Sequence, residues 1–334
     1  MTSRELVVDT LEFRDPPRVP RHLWTLPWAG LTWPDELAAI RERYVDDIVT
    51  CPPFLRRPLR TSGREYEPGI YVDEWGCRFE NAQRGIIGQV KDALIKSWAD
   101  VDALRVPRER LSVDPGKVDD FCADSCAFVL ASTWARPFEL VQFLRGPENL
   151  YIDLAERPAG LFRLLEKIHG FYKEELELWA STEVDALVFA DDWGGQSSLL
   201  VAPGLWREIF KPLYRDYVEI AHRNGKYAFM HSDGHIAAIL PDLVEIGLDA
   251  LNAQIFCMDI EAIGRSFAGK LTFWGEVDRQ HLLPYGTPAE VAAAVRTARR
   301  ALWRGGGAIA QCEFGIGARP ENVAAVFEAW NTLA

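Results

Sequence analysis

The side chains in this sequence that could do chemistry fall at one kind of place. Short apolar runs end, one after another, in polar clusters: Asp191-Asp192-Trp193, His231-Ser232-Asp233-Gly234, Asn252 with Gln254, Glu276-Val277-Asp278-Arg279, and Cys312-Glu313. A single acid after a strand serves as readily for a helix cap as for a catalyst, but a succession of polar strand ends calls for a shared purpose. Carboxylates crowded out of water rise in pKa unless cations, hydrogen bonds or a metal compensate. The pattern therefore implies a proton-handling site or a metal, with Asp191, Asp192 and Glu276 as the acid–base candidates. His231 and Asp233 stand two apart on extended chain and so point to one side. If Cys312 converges with them, the three offer nitrogen, oxygen and sulfur to one ion, and three protein ligands with an open fourth position describe a catalytic zinc site. The competing reading is a hydrogen-bonded His231–Asp233 pair beside a buried, inert Cys312. Trp193, Asn252, Gln254 and Gln280, from the same strand ends, are expected to contact substrate.

The elements that must position these residues repeat one pattern, a short strand followed by an amphipathic helix. Strands are expected at Phe128–Ala131, Asp185–Ala190, Lys226–Met230, Leu248–Ala253, Leu271–Gly275 and Ala308–Gln311, with weaker ones at Val19–Trp24 and Asp47–Thr50. Pro203 opens a helix that Gly225 closes, and Thr287-Pro288 opens another. Strands alternating with helices mean parallel pairing through right-handed crossovers. Eight of them predict an α/β fold, a closed (β/α)₈ TIM barrel over residues 1–334 as one domain. In such barrels reactive groups sit at the carboxyl ends of the strands. A doubly wound open sheet is the alternative, but no GxGxxG follows the first strand and no GxxxxGK[ST] occurs. The rhythm breaks from about Leu55 to Leu104, where GREYEPGIYVDEWGCRFEN reads as a hairpin. This is expected to be an insertion after the second strand that covers the barrel mouth, bringing Trp75 to the substrate.

Composition narrows the function. With 334 residues, 48% apolar, the chain is long enough for one large packed core. A net charge of -12 with no Lys/Arg-rich run argues against nucleic acid and anionic membranes as partners. No apolar stretch approaches the roughly 18 residues of a membrane span, and MTSRELVVDT lacks the apolar core of a secretory signal. The expectation is a cytoplasmic protein, consistent with six dispersed cysteines that form no framework of spacings.

Three long segments, GKYAFMHSDGHIAAILPDLVEIGLDALNAQ, KLTFWGEVDRQHLLPYGTPAEVAAAV and GGGAIAQCEFGIGARPENV, resemble the uroporphyrinogen decarboxylase superfamily. That superfamily also holds zinc methyltransferases that use corrinoid proteins. They bind zinc through a His-x-Cys pair after one strand and a Cys after the last. Here His231 and Cys312 stand at the matching places, and Asp233 replaces the middle Cys. True uroporphyrinogen decarboxylases carry an amino-terminal Arg-Gln-Ala-Gly-Arg segment that grips substrate carboxylates. The corresponding RVPRHLWTLPWAG has Arg18 and Arg21 but not that motif, which argues against a haem-pathway decarboxylase. The resemblance thus implies a methyltransferase with Zn²⁺ on His231, Asp233 and Cys312, a small substrate such as a methoxylated compound, a corrinoid protein as partner, and a homodimer. The alternative it leaves is a metal-free decarboxylase or lyase acting on a small carboxylated substrate.

Overall fold

The computed structural model describes residues 1–332; positions 333 and 334 of the expected domain lie outside the described residues. In chain order the strands are β1 (Arg21–Thr25), β2 (Ile48–Thr50), β3 (Gly69–Val72), β4 (Arg78–Asn81), β5 (Gln89–Asp92), β6 (Phe128–Leu130), β7 (Ala186–Ala190), β8 (Tyr227–Ser232), β9 (Ala250–Ala253), β10 (Thr272–Trp274) and β11 (Ala308–Phe314). Eight of them pair in the order β1-β11-β10-β9-β8-β7-β6-β2, each ladder parallel, and wrap into a (β/α)₈ barrel. All eight expected strands are present.

Strands buried on both faces are apolar throughout, because helices cover the outside and side chains fill the inside. Ile48, Phe128, Leu130, Ala186, Val188, Phe229, Ala250, Trp274 and Ile309 pack together within the barrel. Their alternates, including Val129, Leu187, Met230, Leu251, Phe273 and Ala310, belong to the larger core shared with the helices. The helix Pro288–Leu302 opens on a capping box between Thr287 and Glu290, with Pro288 in its first turn. The expected Pro203 helix is two, Pro203–Ile209 and Lys211–Arg223. Pro212 explains the break, since it brings no N–H and its ring crowds the carbonyl four residues back.

The seam between β1 and β2 is closed differently from the other ladders. One main-chain bond crosses it, Asp47 N to Arg21 O at 2.8 Å. Two carboxylates supply the rest: Asp47 Oδ2 accepts from Arg21 N (2.8 Å) and Asp46 Oδ1 from Leu23 N (2.6 Å). Arg18 holds the buried Asp47 with both terminal guanidinium nitrogens, at 2.6 and 2.7 Å. Arg18 thus closes the barrel at the strands' amino ends, away from the mouth.

The segment after β2 forms a three-stranded antiparallel sheet, β3-β4-β5. Its Phe79 packs on Phe143 of the helix Pro137–Arg145, and its Trp75 on Phe171 and Tyr172 of the helix Ala159–Ala180. Among the described residues, no helix is long and apolar enough to cross a membrane.

Candidate active site

Strand alternation carries His231 into the barrel beyond Phe229, and Asp233 follows it on the same side. His231 Nδ1 lies 2.6 Å from Asn252 Oδ1. Asn252 donates its amide to the Trp274 carbonyl, so its oxygen must face the ring and His231 must carry its proton on Nδ1. The other nitrogen, Nε2, then faces two carboxylates, Asp192 Oδ1 at 3.4 Å and Asp233 Oδ1 at 3.5 Å. Burial opposes a charge on the ring, but the Asp192 hydrogen bond and the Asp233 charge outweigh it and push His231 up to about 10.

Two glycines bring these acids together. A Cβ on Gly194 would come within 2.3 Å of the Gly234 backbone, and one on Gly234 (φ +79°) within 2.1 Å of Gly194 O. Only bare backbone allows the loops after β7 and β8 to touch this closely. Gly194 N donates to Asp233 O (3.0 Å), His235 N to Gly195 O (2.8 Å), and Asp233 N to Asp192 Oδ1 (3.0 Å).

Arg279 sits among Asp233 and two further acids. It pairs with Asp233, with Glu313 at 2.9 Å and with Glu276 at 3.5 Å. Burial is the main force on Glu276, raising its carboxyl to about 7 against the pull of Arg279. Neither Glu276 oxygen has a hydrogen-bond partner among the described residues. Glu276, Arg279, Gln254 and Gln280 line a cavity of about 200 Å³ with Gln196 and Phe256. His231 itself meets an aromatic wall, Trp24 at 5.5 Å and Trp134 at 6.3 Å between ring centroids. Both Trp24 and Trp274 aim their indole N–H at His22 Nδ1 (3.2 and 3.1 Å). That arrangement needs neutral His22, and burial depresses its pKa to about 3.

The expected site residues divide accordingly. His231, Asp233, Asp192, Glu276, Gln254 and Gln280 come to the mouth. Asn252 is fully buried and orients His231 rather than touching substrate. Asp191 also lies behind the site: its carboxylate accepts from Phe138 N (2.9 Å), Glu139 N (2.8 Å) and the Tyr214 hydroxyl (2.5 Å), closing the start of the Pro137 helix. Trp193 is core, stacked on Phe138 at 4.0 Å with its N–H on Tyr214. Trp75 is taken up by Phe171 and Tyr172, and the cavity lining includes no residue of the insertion.

Cys312 is not brought to His231. On β11 Ile309 faces the barrel interior, and Cys312, three residues on, falls on the other face with Ala308, Ala310 and Phe314 in the helix-packed core. Burial, with the Glu276 and Glu313 charges, holds its thiol well above the usual range. The described residues place one set of three ligand types close enough for a shared ion, Asp192, His231 and Asp233, their donor atoms within 4.8 Å of one another. This set fits a dication. Two carboxylates balance its charge, the His231 ring would give up its Nε2 proton to offer a lone pair, Asp233 Oδ1 has no hydrogen-bond partner though buried, and Asn252 gives His231 the outer partner that metal-binding histidines have.

Glu139 was not foreseen. It lies inside a helix rather than directly after a strand, yet burial, reinforced by the Asp192 charge, raises it to about 7. Trp24 and Trp134 were hidden for a similar reason, being aromatic residues in a chain rich in tryptophan.

The family model described as uroporphyrinogen decarboxylase (URO-D) matches residues 72–333. Among solved structures, a methyltransferase from Methanosarcina mazei aligns with a TM-score of 0.68 at 16% identity, over 100% of this chain and 99% of that one. A 3-keto-D-glucoside 4-epimerase from E. coli aligns with a TM-score of 0.38 at 14% identity, over 65% of this chain and 84% of the other. At these identities the likeness to the methyltransferase shows the fold, and that to the epimerase bears on nothing further. No curated protein matches the sequence.

Proposed function

Since the chain belongs to the uroporphyrinogen decarboxylase (URO-D) family, we propose that it is a methyltransferase moving a methyl group between a small oxygen-bearing substrate and a corrinoid on a partner protein. One observation carries this reading: His231 is committed through Nδ1 to Asn252 and turns Nε2 toward Asp192 and Asp233 at the mouth. The Methanosarcina mazei neighbour, a methyltransferase that aligns over 99% of its chain, favours the same chemistry. Asp192, His231 and Asp233 would hold a divalent cation, zinc by resemblance to the family's methyltransferases, and it would act as a Lewis acid on a substrate oxygen. Without a thiolate this donor set is hard, which suits an ether or alkoxide oxygen better than a thiol.

The protein groups around it have separate tasks. Asn252 fixes the His231 tautomer, and Arg279 anchors Asp233. Glu276, raised to about 7 and with neither oxygen hydrogen-bonded, gives a proton to the oxygen that parts from methyl, or takes one from the oxygen that receives it. Trp24 and Trp134 keep water from the imidazole side.

A second reading, a metal-free decarboxylase or lyase on a small carboxylated substrate, is favoured by Arg279, a cation already set among Asp233, Glu276 and Glu313. The deciding experiment measures zinc per chain in protein purified without chelator, and methyl exchange between methylcobalamin and small alcohols or methyl ethers. About one zinc, lost together with exchange in His231→Ala, supports the methyltransferase. Metal-free protein that releases CO₂ from a small acid at full rate overturns it.

A further inference from the structure

Behind the mouth, two buried polar side chains meet with nothing to bond to. Gln311 of β11 is 1% exposed and Glu276, just after β10, is 2% exposed. Among the described residues, neither the nitrogen nor the oxygen of the Gln311 amide has a hydrogen-bond partner, and neither does either Glu276 oxygen. Strand alternation turns Gln311 to the barrel interior with Ile309 and away from the face of Cys312. A Cβ on Gly275 would fall 2.1 Å from Gln311 Oε1, so the amide abuts the peptide that leads into Glu276. Buried polar groups left unmet are costly, and protein interiors pair them with one another or with water.

Glu276 lines two cavities. One is the mouth cavity described above; the other measures about 20 Å³ and is lined by Gln311 together with Ile255, Phe273, Leu302 and Trp330. A water needs about 10–15 Å³ of such space and two to four polar partners. The small cavity has room for one molecule, and Gln311 and Glu276 are the partners. We propose that it binds one water, which accepts from the Gln311 amide N–H and donates to the inner Glu276 oxygen, so that Gln311 is a positioning residue that holds the other oxygen toward the mouth. The apolar walls leave this water no path onward for a proton, and Glu276 exchanges its own on the mouth side alone. The use of that proton in methyl transfer rests on the function proposed above; the water site does not. A water that donates to a carboxylate favours the charged form. Arg279 from the same loop and His231 of β8 act in that direction, Asp233 after β8 and Glu313 of β11 oppose it, and the Cys312 and Cys257 thiols share the same field.

The test combines high-resolution diffraction with a carboxyl ¹³C titration of Glu276, in the wild type, Gln311→Met and Gln311→Asn at matched zinc content. The wild type should show one water within hydrogen-bond distance of both residues. Gln311→Met keeps the length of the side chain and removes its amide. The water should be lost, and Glu276 should hold its proton about tenfold more tightly, the value of one hydrogen bond to a charged group. Gln311→Asn, one carbon shorter, should keep the water and most of the wild-type proton affinity. A wild type with a direct Gln311–Glu276 bond or no water, an unchanged affinity in Gln311→Met, or an equal change in both variants overturns the assignment. A bridging water and the tenfold change in a protein that moves no methyl group uphold the site and remove only the methyltransferase reading.

Discussion

At His231 one hydrogen bond decides what the other nitrogen can do. Asn252→Leu would keep the volume and remove the acceptor, freeing the ring to turn or change tautomer. Zinc affinity should fall by about 10- to 100-fold, the usual effect of losing such an outer partner, with the far-ultraviolet spectrum unchanged; titration with a competing chelator checks it. Glu276→Gln is isosteric and cannot cycle a proton. It should lower kcat by about 10²- to 10⁴-fold with little change in substrate affinity, which steady-state kinetics on methyl exchange would read. At this scale the sequence was legible where side chains follow an inward strand residue, as at His231, Asp233 and Glu276. It misled at Asp191 and Cys312. Asp191 adjoins Asp192, but neighbours on extended chain point apart, and the helix start took Asp191. On β11 the polar Gln311 and Glu313 flank Cys312 and already mark the opposite face as the inward one, a signal the family's ligand pattern overrode.

Between elements, the touching loops after β7 and β8 set the distance between Asp192 and Asp233. Gly194→Ala would force a methyl into the Gly234 backbone and push the loops apart. Overpacking of this kind costs about 1–3 kcal/mol, and metal stoichiometry should fall with it; urea denaturation and zinc analysis measure the two losses. The β1–β2 seam gives a pH-dependent case. Burial raises Asp46 to about 6, against about 3.9 in an unfolded chain. A carboxyl raised by folding contributes stability below its unfolded pKa and loses it as pH climbs through the folded one. Asp46→Asn keeps the oxygen that accepts from Leu23 N and removes the charge. Its Tm should exceed wild type by a margin that grows from pH 4 to pH 6 and then levels, as calorimetry at several pH values would report. Strand positions were readable because the apolar runs are short and bounded. The split of the Pro203 helix was equally open to reading, since Pro212 stands in the sequence, but helical periodicity on both sides masked it.

For the whole molecule, a metal that binds only the folded mouth must stabilise the whole barrel. Added Zn²⁺ at about 100 times its dissociation constant should add about 2.7 kcal/mol, raising wild-type Tm and leaving His231→Ala unmoved. The barrel itself was legible because eight alternations leave few topologies that obey handedness and neighbour rules. The contacts of the insertion were not, since its aromatic residues could as well have faced the mouth as Phe143, Phe171 and Tyr172. Where the ring of strands meets itself, the backbone is fastened by one main-chain bond and by two aspartates. A barrel so fastened has a preferred line of breathing. Amide protons flanking that line, Leu23 among them, should be less protected from deuterium exchange than those of β7 and β8, and the protection of the Arg21 amide should fall further in acid, where Asp47, buried but held below the usual carboxylate range by Arg18, takes up a proton.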